Sequence, residues 1–161
     1  MLSIQPLTGR HDRSGFASGS EPLDAWLRQV AQQHQIRGIS KTYVAVEVDA
    51  PERILGYYAL TVCEVLSEEL PSGLARRLPR RVPGVRLGRL AVDRSLQGQG
   101  IGELLLMNAI ERCQLVLEHV GVHALFVDAK DDRAASFYAK YGFRPLPSDP
   151  LRLVLVLVGM R

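Results

Sequence analysis

At 161 residues the chain has the length of one ordinary domain, and its 47% hydrophobic residues suffice for a sizeable core. With 23% charged residues and no apolar run near the ~20 residues of a membrane-spanning helix, the composition is that of a soluble globular protein and excludes a transmembrane role. The net charge of +3 conceals an imbalance, since 17 Arg face only 3 Lys and seven of the arginines (76, 77, 80, 81, 86, 89 and 94) crowd around one acid, Asp93.

Met1-Leu2-Ser3-Ile4-Gln5 lacks the basic start and cleavage pattern of a signal peptide, so the cytoplasm is the expected location. Residues 2–7 read as a first strand, followed by a Gly/Ser-rich connection. Ser20 is a suitable N-cap with Pro22 in the first turn, and Leu23, Trp26, Leu27, Val30 and Ala31 recur at helical spacing until Gly38. Alternating Thr42, Val44, Val46 and Val48, a turn at Asp49-Ala50-Pro51-Glu52, and β-prone sequence over 54–65 predict an antiparallel hairpin. The Pro-punctuated segment 67–84 suggests one short helix near 74–78. Residues 85–93 read as a strand, a Gly-rich turn follows, and 101–120 form a long helix with Leu105, Ala109, Cys113, Val116 and Val120 on one face.

Ala124-Leu125-Phe126-Val127 has the doubly apolar character of a central strand, residues 131–141 form a helix ending at Gly142, and 151–158, broken only by Arg152, form a last strand. No repeat or linker divides the chain, so it reads as a single domain, 1–161, of mixed α/β class. Cys63 and Cys113 have no second Cys or His at ligand spacing; no metal site and no disulfide is expected, and both read as buried thiols. His119 and His123 are separated by helix-breaking Gly121, and His11 and His34 are read as packing or surface residues.

The chemistry concentrates at Gln97-Gly98-Gln99-Gly100-Ile101-Gly102, between a strand and a helix. Glycines permit tight curvature there, and free N–H groups at the positive helix end suit a pyrophosphate. A dinucleotide fingerprint would need glycine where Glu103 stands, and the Gly-Lys-Ser/Thr of a Walker loop is absent. What survives, Gln-x-x-Gly-x-Gly after Leu87-Gly88-Arg89-Leu90-Ala91-Val92-Asp93, resembles the acetyl-CoA signature of the Gcn5-related N-acetyltransferase (GNAT) superfamily. Phe137-Tyr138-Ala139-Lys140-Tyr141-Gly142-Phe143 is similar to that superfamily's closing motif.

The resemblance implies a GNAT fold, a mostly antiparallel twisted sheet flanked by helices, with the fourth and fifth strands splayed. Acetyl-CoA would lie with its pantetheine arm against Leu90, Ala91 and Val92. Its pyrophosphate would sit on Gln97, Gly98, Gln99, Gly100, Ile101 and Gly102. Asp131, which stands where relatives often carry Asn, would adjoin the cofactor. Tyr138 would protonate the departing thiolate, although the same ring among Phe137, Tyr141 and Phe143 also reads as plain aromatic packing.

Further segments, Leu23-Asp24-x-Trp26-Leu27, Gly56-Tyr57-Tyr58-Ala59-Leu60 and Val127-Asp128-Ala129-Lys130, resemble the tRNA-acetylating toxins of bacterial type II toxin–antitoxin modules; Ser18 stands where that group often has Cys. This implies acetyl transfer to the α-amine of aminoacyl-tRNA, blocking translation. It also implies a ribbon-helix-helix antitoxin, operator DNA reached through that antitoxin, and a homodimer. Arginine's planar fork suits phosphate, so Arg76, Arg77, Arg80, Arg81, Arg86 and Arg89 are the candidate RNA contacts, with a merely solvated surface as the alternative. Alternative functions are acetylation of protein or small-molecule amines, or a non-catalytic module that binds antitoxin and DNA.

Overall fold

The computed structural model describes residues 1–160. Seven strands follow the order β1-β2-β3-β4-β5-β7-β6 in one mixed sheet, with helices between them. The chain forms two compact units, each built from two segments: Met1–Thr61 with Arg89–Ile110, and Val62–Gly88 with Glu111–Arg161.

In the first unit, β1 (Leu2–Pro6) pairs antiparallel with β2 (Lys41–Glu47), placing Leu2 opposite Glu47 and Pro6 opposite Tyr43. The predicted hairpin is present: β2 pairs with β3 (Gly56–Leu66) in a register that sets Tyr43 opposite Tyr58 and Ala45 opposite Gly56. The single helix expected from Ser20 to Gly38 is instead two, α1 (Glu21–Gln29) and α2 (Ala31–Ile36). β-Branched Val30 stands between them at φ −122°, far from helical values, and Gly38 at φ +72° ends the second. Glu21 and Asp24 in the first turn favour the positive end of α1, while Trp26 and Leu27 face inward. They join Leu7, Phe16, Val44, Ile54 and Tyr57 in the core of this unit.

In the second unit the predicted short helix at 74–78 is absent. Leu74 and Leu78 close separate turns onto Pro71 and Ala75 instead. Gly73 at φ +91° and Arg77 at φ +62° interrupt any right-handed run. β4 (Arg81–Val92) starts four residues earlier than expected, and its parallel ladder with β5 (Ala124–Asp128) covers Gly84–Leu87 against Ala124–Val127. Gly84 permits this approach, because a Cβ there would stand 2.6 Å from the Phe126 ring and 2.8 Å from the Ala124 carbonyl. Beyond the Gly-rich turn, α3 (Ile101–Leu117) ends three residues short of Val120.

The closing apolar run is β7 (Asp149–Val156), antiparallel to β5 on one side and to the short β6 (Arg144–Leu146) on the other. It is thus an inner strand; the three-residue β6 carried too little pattern to be predicted. Among the described residues, no helix is long and apolar enough to cross a membrane.

Candidate active site

The Gly-rich turn belongs to the first unit, and backbone conformation dictates its sequence. Gly98 and Gly100 stand at φ +82° and +87°, where an L side chain is disfavoured, and a Cβ at either would meet nothing within 4 Å. Glycine is therefore required here for curvature, not for lack of room. Gln97, the first letter of the motif, fastens the turn: its amide donates to the Ser18 carbonyl at 2.9 Å and to the Val92 carbonyl at 3.1 Å. Buried Ile101 anchors the start of α3, and Leu104 N–H closes the first helical bond onto Gly100 O at 3.1 Å. By helix geometry the N–H groups of Ile101 and Gly102 have no partner inside the helix, so the turn offers donors to an anion at the positive helix end. Gln99, Gly98 and Gly100 are exposed and Gly102 partly so.

Leu90, Ala91 and Val92 lead into this turn at the end of β4, Ala91 buried and its neighbours half-buried. Asp93 then caps a short 3-10 turn, accepting from Ser95 Oγ at 2.7 Å, Ser95 N–H at 3.0 Å and Ala17 N–H at 3.4 Å. Burial raises its affinity for a proton, but these bonds and Arg53 outweigh burial and hold the carboxyl below its ordinary range. The Leu-Asp-x-Trp segment is likewise structural. Asp24 is buried and accepts from Ser18 Oγ at 2.7 Å and Ser18 N–H at 3.1 Å, so the serine's hydroxyl is used where relatives often carry Cys. Trp26 stacks on Tyr57 at 6.1 Å, and the Arg89 guanidinium lies over the Trp26 ring at 4.4 Å. A candidate RNA contact thus has a packing role of its own.

In the second unit, Asp131 is the N-cap of α4 (Asp132–Ala139), its carboxylate accepting from Ala134 N–H at 2.8 Å. Local capping accounts for this position without a cofactor. Tyr138 is buried on α4, edge-on to Phe137 at 5.3 Å and to Phe143 at 5.7 Å. Burial raises its pKa, and the charge of Asp128 pushes the same way, so the phenol keeps its proton across the physiological range. A protonated hydroxyl is what a donor to a developing thiolate requires.

Arg76, Arg77, Arg80 and Arg81 are exposed around the turns that lead into β4. Arg81 pairs with Glu64 at 3.0 Å, while Arg86 is half-buried beside Asp128. Sequence-local counting therefore overstates the free positive charge, because both acids arrive from other strands. Cys113 is buried and its thiol pushed up to about 12; half-buried Cys63 is also raised by burial, so both sulfurs are held as thiols.

Comparison with known proteins makes the chain an acyl-CoA-dependent transferase. A family model for the acetyltransferase (GNAT) domain matches residues 38–145. The chain is 37% identical to the tRNA-acetylating toxin of Mycobacterium tuberculosis (strain ATCC 25618 / H37Rv) over 150 residues, 93% of this chain and 89% of that one. It also superposes on AtaT complexed with acetyl-methionyl-tRNAfMet, with TM-score 0.89 and 34% identity, covering 97% of this chain and 95% of that one. A tyrosine-to-phenylalanine mutant of AtaT bound to acetyl-CoA and the C-terminus of the antitoxin AtaR gives TM-score 0.81 and 32% identity, covering 97% and 93%. The chain belongs to the GNAT acetyltransferase family, and its cosubstrate is acetyl-CoA.

Proposed function

We propose that this protein is a toxin-type N-acetyltransferase that moves acetyl from acetyl-CoA to the α-amine of aminoacyl-tRNA. The observation that carries the reading is 37% identity with a tRNA-acetylating toxin across 93% of the chain. The Gly98–Gly100 turn and the α3 N-terminus bind pyrophosphate, Leu90, Ala91 and Val92 line the pantetheine arm, and Tyr138 serves the sulfur.

In the transfer, the neutral amine attacks the thioester carbonyl, the N–C bond forms and the C–S bond breaks. The thiolate takes the Tyr138 proton, and the proton shed by nitrogen returns to the phenolate through water. A free α-amine titrates near ~8, and esterification of the neighbouring carboxyl lowers that further, so a neutral nucleophile is available without a strong protein base. The exposed arginines 76, 77, 80 and 81, with Arg86 and Arg89, face RNA phosphates. Acetylated aminoacyl-tRNA would no longer serve elongation, and a ribbon-helix-helix antitoxin would restrain the enzyme and carry it to operator DNA. The protein acts as a homodimer in the cytoplasm; β7 is paired on both edges, so it offers no free edge for strand pairing between subunits. Both compact units are interleaved in sequence, which favours one catalytic domain over two separable ones.

The test is labelled acetyl-CoA with total charged tRNA, read as label on the aminoacyl group, with Tyr138→Phe alongside. We expect label from the parent and a 10²-fold or greater loss of turnover in the variant, about the scale of general acid catalysis, with acetyl-CoA affinity retained. No label despite acetyl-CoA binding would move the acceptor to protein amines. An unchanged rate would remove Tyr138 from the chemistry.

A further inference from the structure

Within the second unit, three charged side chains meet at the end of β5. Asp128 closes that strand, Arg152 is its Cα partner on β7, and Arg86 reaches in from β4. Arg86 Nε stands 3.7 Å from Asp128 Oδ2, and Arg152 Nε stands 3.7 Å from Oδ1. Both distances are Coulombic contacts but too long for hydrogen bonds. Arg86 Nε is moreover buried with no acceptor among the described residues. A buried donor left unsatisfied costs free energy unless something supplies an acceptor, and native folds rarely leave one idle.

Fold stability does not account for this arrangement. The Asp128 side chain keeps 41% of its surface exposed, and a half-solvated pair without direct hydrogen bonds contributes little. The carboxylate is also approachable. Position 88 is glycine, and a Cβ there would stand 4.0 Å from Oδ2 and 3.9 Å from Arg86 Cδ, so a larger side chain would begin to cover the group. The cluster thus offers an open anion beside one N–H donor, Arg86 Nε, in want of an acceptor. Its chemical complement is a molecule carrying an amine or ammonium directly beside a carbonyl oxygen. An α-aminoacyl ester has both groups on adjacent carbons.

We propose that Asp128, flanked by Arg86 and Arg152, docks the aminoacyl end of the acceptor, its carboxylate accepting a hydrogen bond from the α-amine while Arg86 Nε–H donates to the adjoining ester carbonyl. This inference rests on the aminoacyl-tRNA reading above. The placement agrees with the proton donor's surroundings, since the Asp128 charge is felt at the Tyr138 phenol. It gives the attacking nitrogen a fixed partner, supplying the orientation on which proximity catalysis depends. It also favours a charged tRNA over an uncharged or already acetylated one, because only the free α-amine can bring a positive charge to the carboxylate.

The experiment uses the full chain with total charged bacterial tRNA, and with the same tRNA deaminated to its α-hydroxyacyl form as a competitor. The parent is expected to acetylate charged tRNA and to bind the amino form at least fivefold more tightly than the hydroxy form. Asp128→Asn is expected to lower kcat/KM for charged tRNA at least tenfold, mainly through KM, with acetyl-CoA affinity within twofold of the parent and the amino preference erased. If the parent acetylates no charged tRNA, the aminoacyl-tRNA reading fails and this inference falls with it. An active parent that binds both acyl forms equally overturns the Asp128 assignment alone, even if the variant does not fold. So does an Asp128→Asn enzyme that keeps the parent's KM and preference.

Discussion

The Gly-rich turn and the arginine-rich segment, both proposed as anion sites, are built on opposite principles. The turn works through backbone: two residues at positive φ, a glutamine that ties the loop to two carbonyls, and a helix end that supplies the positive pole. In the proposed role its donors are held by backbone geometry and not by side-chain partners. The arginine segment works through long side chains whose charge depends on what folds beside them. Arg81 meets Glu64, Arg86 meets Asp128, and Arg89 lies on Trp26, while Arg76, Arg77 and Arg80 remain exposed. Precise recognition of one small anion suits the first design, and adjustable attraction to a long polyanion suits the second.

Conformational strain tests the turn most sharply. Alanine at position 98 or 100 would meet no steric obstacle, so its cost is that of forcing an L residue to positive φ, about 1–2 kcal/mol. If the loop relaxes to avoid that cost, its N–H groups leave their aim. Gly98→Ala and Gly100→Ala are each expected to weaken acetyl-CoA binding by roughly tenfold in calorimetric titration, since 1.4 kcal/mol is a factor of ten. Gly121→Ala is the control, because its surroundings are equally empty and its φ is not positive. Equal effects at all three positions would mean that the turn does not bind by backbone geometry.

The same distinction explains what could be read before folding. A glycine turn is written directly in the chain, because the residues that need positive φ are the residues that supply it. The hairpin and the central strand were legible for a similar reason, through alternation and a doubly apolar run. Side-chain partnerships were not. Asp128 sat inside a quoted motif without a role, and Arg152 was only an interruption in an apolar strand. The register of β5 against β7 is what makes them neighbours. Likewise nothing local marks Glu64 as the partner of Arg81. The break at Val30 and the turns at 72–78 were missed because a hydrophobic period reports which face is buried, not whether each φ stays helical.

Salt dependence probes the adjustable half. Each RNA phosphate contact adds about 0.7–0.9 to the slope of log affinity against log salt, so replacing Arg76, Arg77 and Arg80 together by Gln should flatten the slope for tRNA by roughly two. Arg81→Gln should matter less than any one of these, because Glu64 at 3.0 Å already neutralises it. Glu64→Gln should act in the opposite sense, freeing Arg81 and steepening the slope. Filter binding across a salt series separates these cases. A slope that stays constant in all three variants would make the segment a solvated face with no RNA contact.

The smallest effect concerns stability, in the first unit near the hairpin. His11 is buried, and its Nδ1 accepts from Thr8 N–H at 3.0 Å while Nε2 faces Gln5 Oε1 at 3.3 Å, an arrangement that fixes the neutral ring with hydrogen on Nε2. Burial lowers its pKa, and Arg10 adds to that effect. The unfolded chain therefore takes up this proton before the folded one does. Stability from His11 is fully present above the unfolded value of about 6.5 and declines as pH falls from there towards the depressed folded value, by at most ~1.4 kcal/mol per pH unit for one proton. Urea unfolding of the parent and of His11→Asn, between pH 7.5 and 5, checks this. Asparagine keeps an acceptor for Thr8 but cannot titrate, so the variant should start less stable and lose less on acidification. Parallel curves would show that His11 takes up its proton equally in the folded and unfolded states, and that the acid limb arises elsewhere.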